Sequence, residues 1–311
     1  MRNKFADTIY KLSKKNKKIC VLVADISPAG SIQKFRNEFP ERFINTGVAE
    51  QTMIGISAGL ALKGYRPFCY TISTFTLYRP FEFIRVDLCY QKLPVTIIGM
   101  GAGTIYSTLG STHQTIEDIS IATSLPNMTV IAPCDPDEMK QTVAWCAKQN
   151  KGPVYIRLGK AGEPNLTYRS LDKFSVGKIR YLRKGVKKLA LIGYGIIMKK
   201  ITELEQILIS KYKIKPSVIC NHTLKPLDVK GLSKILKKYE NLAIIEDHVP
   251  QGGLNSKIRE LANIQKSKCN LISFTLKDQF IKCYGSQEDL LKKHSLDNQS
   301  IIKTILKQIK K

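Results

Sequence analysis

The feature that most constrains this chain is a rhythm of strand-like runs separated by helical segments. In the first half the runs are ICVLVAD (19–25), ERFINTG (41–47), RPFCYTIST (66–74), LPVTIIGMG (93–101), MTVIAPCD (128–135) and GPVYIRLG (152–159). Most are apolar along their whole length, and a strand buried on both faces belongs to a parallel sheet covered by helices on each side. Between them, 80–91, 113–126 and 136–149 carry helical patterning, the last with Asp135 as cap, and Phe5, Ile9 and Leu12 mark one face of a first helix. The polar stretch 160–178, with Gly and Pro, breaks the rhythm and reads as a linker. The pattern then restarts with strands at 188–195, 215–221, 241–248 and 269–276, helices at 198–212, 228–240 and 252–265, and a helical tail. The expected fold class is α/β, with two domains, each a mostly parallel sheet with helices on both faces. The expected boundaries are 1–160 for the first domain, 161–178 for the linker and 179–311 for the second.

The 311 residues carry a formal charge of +25, which raises nucleic acid or an anionic membrane as partners. The lysines, however, are scattered along most of the chain without aromatic interleaving, so they read as solvated surface with no nucleic-acid footprint. No apolar run approaches the roughly 20 residues a bilayer span needs, and no membrane partner is expected. The eight cysteines stand singly, none in C-x-x-C, and most within apolar runs. Buried free thiols in a reducing, cytoplasmic compartment fit that pattern, and a zinc site does not.

NTGVAEQTMIGISAGLALKG (45–64) holds one charge until its last two residues, and that charge is Glu50. With Gly47 as N-cap, Glu50 falls at the third helical position, where an acid offsets the dipole. Gly55 and Gly59 share a face that invites close approach of another backbone. Ligands in open α/β sheets gather at the carboxyl ends of strands. The first strand ends at Asp25 and the second leads to Glu50. The third leads to Phe75, Tyr78 and Phe81, the fourth to His113, and the sixth contains Arg157. Each has a plainer reading: the aromatics as a helix face entering the core, His113 as a helix-start residue, and Arg157 as the partner of some carboxylate. No Walker A motif, G-x-S-x-G elbow or H-E-x-x-H is present, so spacing alone reaches a two-domain α/β protein of enzyme type.

PERFINTGVAEQTMIGISAGLALKGYRPF, TISTFTLYRPFEFIRVD, LGSTHQTIEDISIATSLPNMTVIAPCDPDE and PVYIRLGK resemble transketolase, in particular the separate C-terminal subunit of split transketolases. EDHVPQGGLNSKIRELA and CYGSQEDLLKKHSLD extend the likeness over essentially the whole chain. The resemblance implies a thiamine diphosphate shared with another subunit, with Glu50 hydrogen-bonded to the aminopyrimidine ring nitrogen and acting in catalysis. It implies Phe75, Tyr78 and Phe81 around the pyrimidine and Asp25 lining the same pocket. It implies His113 near the reacting carbon of the substrate, and Arg157, Ser31 and Arg2 on the sugar phosphate.

Leu109 stands where full-length transketolases have an acid, Gly101 where they have a histidine, and Ser111 where they have Pro. The G-D-G…N motif that holds Mg2+ and the diphosphate is missing, so no metal is expected on this chain. The resemblance thus implies an N-terminal partner subunit carrying that motif and the Mg2+, a heterotetramer of two such pairs, and ketol transfer between sugar phosphates. Two related thiamine-diphosphate enzymes stay open as alternatives: 1-deoxyxylulose-5-phosphate synthase and the beta subunit of 2-oxo acid dehydrogenases. A non-catalytic basic binding protein is the third.

Overall fold

A computed structural model of the chain describes residues 1–28, 30, 32–168 and 170–309. Its strands are β1 (Ile19–Val23), β2 (Phe43–Asn45), β3 (Arg66–Ile72), β4 (Thr96–Met100), β5 (Thr129–Ile131), β6 (Val154–Leu158), β7 (Arg180–Arg183), β8 (Ala190–Gly193), β9 (Ser217–Cys220), β10 (Thr223–Lys225), β11 (Asn241–Ile245) and β12 (Asn270–Phe274). Among the described residues they form two sheets, in the orders β10-β5-β6-β4-β3-β1-β2 and β12-β11-β8-β9-β7. The α/β expectation is met. β1, β4, β6, β8, β9 and β11 are buried at every position, as double-sided cover requires.

Two strands depart from the expected pattern, and both are antiparallel edges. β7 pairs with β9, while β10 leaves the second half of the chain to pair with β5 of the first sheet. A core cluster crosses the same boundary: Tyr155, Val130 and Leu22 belong with Ile192, Ile244 and Leu232. The two units are therefore joined by strand pairing and by shared apolar burial.

Three local expectations are corrected. The helix of the 45–64 stretch runs Glu50–Leu62 with Ala49 at the N-cap, so Glu50 is its first residue and not its third. The 113–126 segment is helical only over Asp118–Ser124, leaving His113 in a loop. The 80–91 segment starts as an α-turn at Phe81–Phe83 and continues as π-helix over Ile84–Tyr90. Among the described residues no helix is long and apolar enough to cross a membrane.

Candidate active site

Glu50 begins its helix, so its carboxylate sits at the positive end of the dipole. Its side chain is 3 % exposed, and Arg79, 44 % exposed, donates from Nη1 to Oε1 (3.3 Å) and Oε2 (3.2 Å). Arg79 lies four residues after Phe75, the spacing of one helical face. Its guanidinium covers the Phe75 ring at 4.2 Å from the centroid. Phe75 also meets His113 edge to face, with centroids 5.2 Å apart, and His113 meets Tyr106 at 6.2 Å. Thr112 Oγ1 is hydrogen-bonded to His113 Nδ1 (2.9 Å). The acid, the first aromatic and the histidine are thus brought together.

The other two aromatics are placed differently. Tyr78 and Phe81 pack against the cluster containing Met53, Ile54 and Leu77. Tyr78 donates to Glu117 Oε2 (2.8 Å), and burial, with Asp118 and Glu117 nearby, pushes its phenol well above the ordinary value. Asp25 is exposed just past β1, with φ +63° and its N–H donating to Asn45 Oδ1 (3.0 Å). Ser31 lies outside the described residues.

Arg157 corrects the largest expectation. It is 3 % exposed, and its donors are already engaged. Nε donates to Asp118 Oδ2 (2.9 Å), Nη1 to Asp247 Oδ1 (2.8 Å), and Nη2 to the carbonyls of Asp247 (3.2 Å) and Thr115 (3.4 Å). It is the centre of a buried ion cluster between the two halves of the chain, with no face turned to a sugar phosphate. The plainer sequence reading, a carboxylate partner, describes it.

Two other cations, one exposed and one half-buried, sit around Tyr106. Lys160 is exposed, and its ammonium stands 5.3 Å from the Tyr106 ring centroid. Arg2 is charge-coupled to Tyr106 and Tyr70, and its Nε is buried without a hydrogen-bond partner. The side-chain amide of Gln114, beside His113, is likewise buried without one. Buried polar groups of this kind are rare away from places where something else binds. Arg79 and Lys160 were missed from sequence. The i, i+4 relation to Phe75 was available for the first, and an exposed cation at the carboxyl end of β6 for the second.

Gly101 and Ser111 acquire local reasons. Gly101 has φ +72°, and a Cβ there would come within 2.1 Å of the Tyr106 ring, so a histidine would be strained and would force the Tyr106 ring to move. Ser111 Oγ donates to the carbonyl of Ile281 (2.7 Å). Leu109 is exposed. Away from the site, Cys134, Glu138 and Cys220 offer ligand atoms within 4.8 Å of one another. The Glu138 carboxylate already accepts from Arg180 Nη1 (2.6 Å) and from the Cys134 N–H (2.9 Å).

Residues 1–163 match the family model of the transketolase pyrimidine-binding domain, and 177–301 that of the transketolase C-terminal domain. The chain belongs to the transketolase family. It is 35% identical to a putative transketolase C-terminal section of Methanocaldococcus jannaschii, over 100% of this chain and 96% of that one. It is also 35% identical to the 1-deoxy-D-xylulose-5-phosphate synthase of Clostridium kluyveri, over 98% of this chain but 48% of the synthase. This transketolase-family chain thus spans about half the length of the synthases it matches. A solved split-gene transketolase, described as an inactive β4 tetramer, superposes with a TM-score of 0.87 at 32% identity, covering 99% of this chain and 98% of that one. Thiamine diphosphate is the cofactor this family implies.

Proposed function

We propose that this chain supplies the pyrimidine-binding half of a ketol-transferring active site, working with a separate subunit that holds the diphosphate and Mg2+. The observation that carries this reading is the Glu50 carboxylate. It is buried at a helix start, and its partner among the described residues is one half-exposed cation that also lies on Phe75. These residues fit the pyrimidine end of thiamine diphosphate, which calls for an acid opposite a ring nitrogen and an aromatic face beside it. The chain has no G-D-G…N motif for the other end. When bound, the cofactor supplies the electron sink for breaking and making carbon–carbon bonds beside a carbonyl.

The chain's own residues take the remaining tasks. Glu50 holds a proton at the ring nitrogen. His113, with Nδ1 tied to Thr112, meets substrate oxygens and assists proton transfer. Arg2 and Lys160 draw the sugar phosphate toward Tyr106, in place of Arg157. Asp25, Tyr78 and Phe81 border the pocket. The partner subunit and a second copy cover the exposed side of the Glu50–Leu62 helix, where a Cβ added at Gly55 or Gly59 meets nothing within 4 Å. A heterotetramer of two pairs follows from that reading.

Synthesis of 1-deoxyxylulose 5-phosphate is the second reading, favoured by Leu109, which offers no polar group for a substrate hydroxyl. Co-expression with a G-D-G…N subunit, followed by xylulose 5-phosphate plus ribose 5-phosphate, tests the first. A 2-oxo acid with a triose phosphate tests the second. Turnover by the chain alone, or by neither mixture, would overturn the shared-site reading.

A further inference from the structure

We propose that Arg157 and Asp247 form a positioning clasp through which the second half of the chain sets the loop carrying His113. The consequence for catalysis rests on the reading of His113 given above.

The loop leaves β4 at Gly101 and returns at Ile116. Its neck is closed by paired hydrogen bonds between Gly103 and Thr115, N–H to carbonyl at 2.9 and 3.1 Å. Arg157 grips that neck from beneath, donating from Nη2 to the Thr115 carbonyl and from Nη1 to Asp247. Asp247 seals the other side. A Cβ on Gly103 would fall 2.0 Å from Asp247 Oδ2, an oxygen that is buried without a hydrogen-bond partner. Thr115 Oγ1 then reaches Ser73 Oγ (2.7 Å) and Thr74 Oγ1 (2.9 Å), the two residues before Phe75. One buried guanidinium therefore ties the histidine loop, the Phe75 segment and the second sheet together.

Further contacts from the second half follow the same loop outward. Val249 N–H donates to the Ile116 carbonyl (3.0 Å), Gln287 Nε2 to Thr104 Oγ1 (3.1 Å), and Ser111 Oγ to the Ile281 carbonyl (2.7 Å). A buried ion cluster is a poor source of net stability, because desolvation offsets attraction. A carboxylate oxygen left without a donor adds a cost. What the cluster does supply is a single geometry, which a loop bearing a reacting group needs within fractions of an ångström.

The test is amide hydrogen exchange on the full chain. Asp247→Asn, which keeps the volume and removes the charge, is expected to speed exchange of peptides within 101–116 by about tenfold, while β3 and β11 peptides keep their rates. Arg180→Lys disturbs an equally buried pair between the halves, Arg180–Glu138, that does not touch the loop, and is expected to leave 101–116 unchanged. Ser111→Ala, a milder variant that removes one contact at the loop tip, should raise exchange in the same peptides by less. Unchanged loop exchange in both Asp247→Asn and Ser111→Ala would overturn the clasp, as would a uniform rise across both sheets. In the assembled enzyme, Asp247→Asn is expected to lower kcat by about tenfold with little change in KM, the mark of lost positioning. Fast local exchange with unchanged kcat would instead leave the clasp standing and overturn the functional reading of His113.

Discussion

Glu50 and Arg157 are both buried charges at the carboxyl ends of one sheet, yet their surroundings are opposite. Arg157 is enclosed by Asp118, Asp247 and two carbonyls, with Tyr155 donating to Asp118 behind it. Glu50 has one described partner, reaching in from a half-exposed position. The helix behind Glu50 presents two glycines to open space. A buried charge enclosed by fixed, equally buried counter-charges is architecture. A buried charge whose partner can swing away is available to a ligand.

The contrast can be broken by substitution. Arg157→Met leaves Asp118 and Asp247 uncompensated and should cost about 3–5 kcal/mol in denaturant unfolding; a loss near zero would show that the cluster is not structural. Glu50→Gln should lower turnover of the assembled enzyme by about 10²–10⁴-fold, while the unfolding midpoint of the isolated chain stays close to that of the unsubstituted protein. An equal fall in both would make Glu50 a structural acid like its counterpart. Gly55→Ala should stabilise the isolated chain by about 0.5–1 kcal/mol, because helix propensity improves and nothing stands in the way. The same change should weaken assembly with a partner, measured by sedimentation.

The smallest effect concerns a third kind of buried group. Burial lowers the pKa of His222, whose ring stacks on Phe174 and whose Nε2 has no hydrogen-bond partner. Its folded value lies below the unfolded one, so the stability it carries is present above about pH 6.5 and is lost as pH falls from there. His222→Gln should flatten that slope in urea titrations between pH 7.5 and 5; an unchanged slope would assign it to other groups.

Much of the frame was legible because its signals are local. A continuous apolar run such as ICVLVAD fits few environments other than a doubly covered strand, and the helical segments between such runs then fix the layers. β7 and β10 were not legible: RYLR and TLK are short, mixed in polarity, and become strands only because an edge is offered to them. Arg157 carried a usable signal, since a cation inside the buried run VYIRL needs carboxylates. Neither Asp118 nor Asp247, 129 residues apart in number, announces that it will be one of them. The same holds for Cys134 and Cys220, solitary in sequence and neighbours in space.

The sequence by itself determined the two α/β layers, the family, and the candidacy of Glu50, Phe75 and His113, because periodicity and motif spacing are properties of adjacent residues. Tertiary structure alone decided which charges are closed and which are open. That depends on what the second half of the chain brings to each: Asp247 to Arg157, β10 to β5, Ile281 to Ser111, and to Glu50 no described partner beyond Arg79.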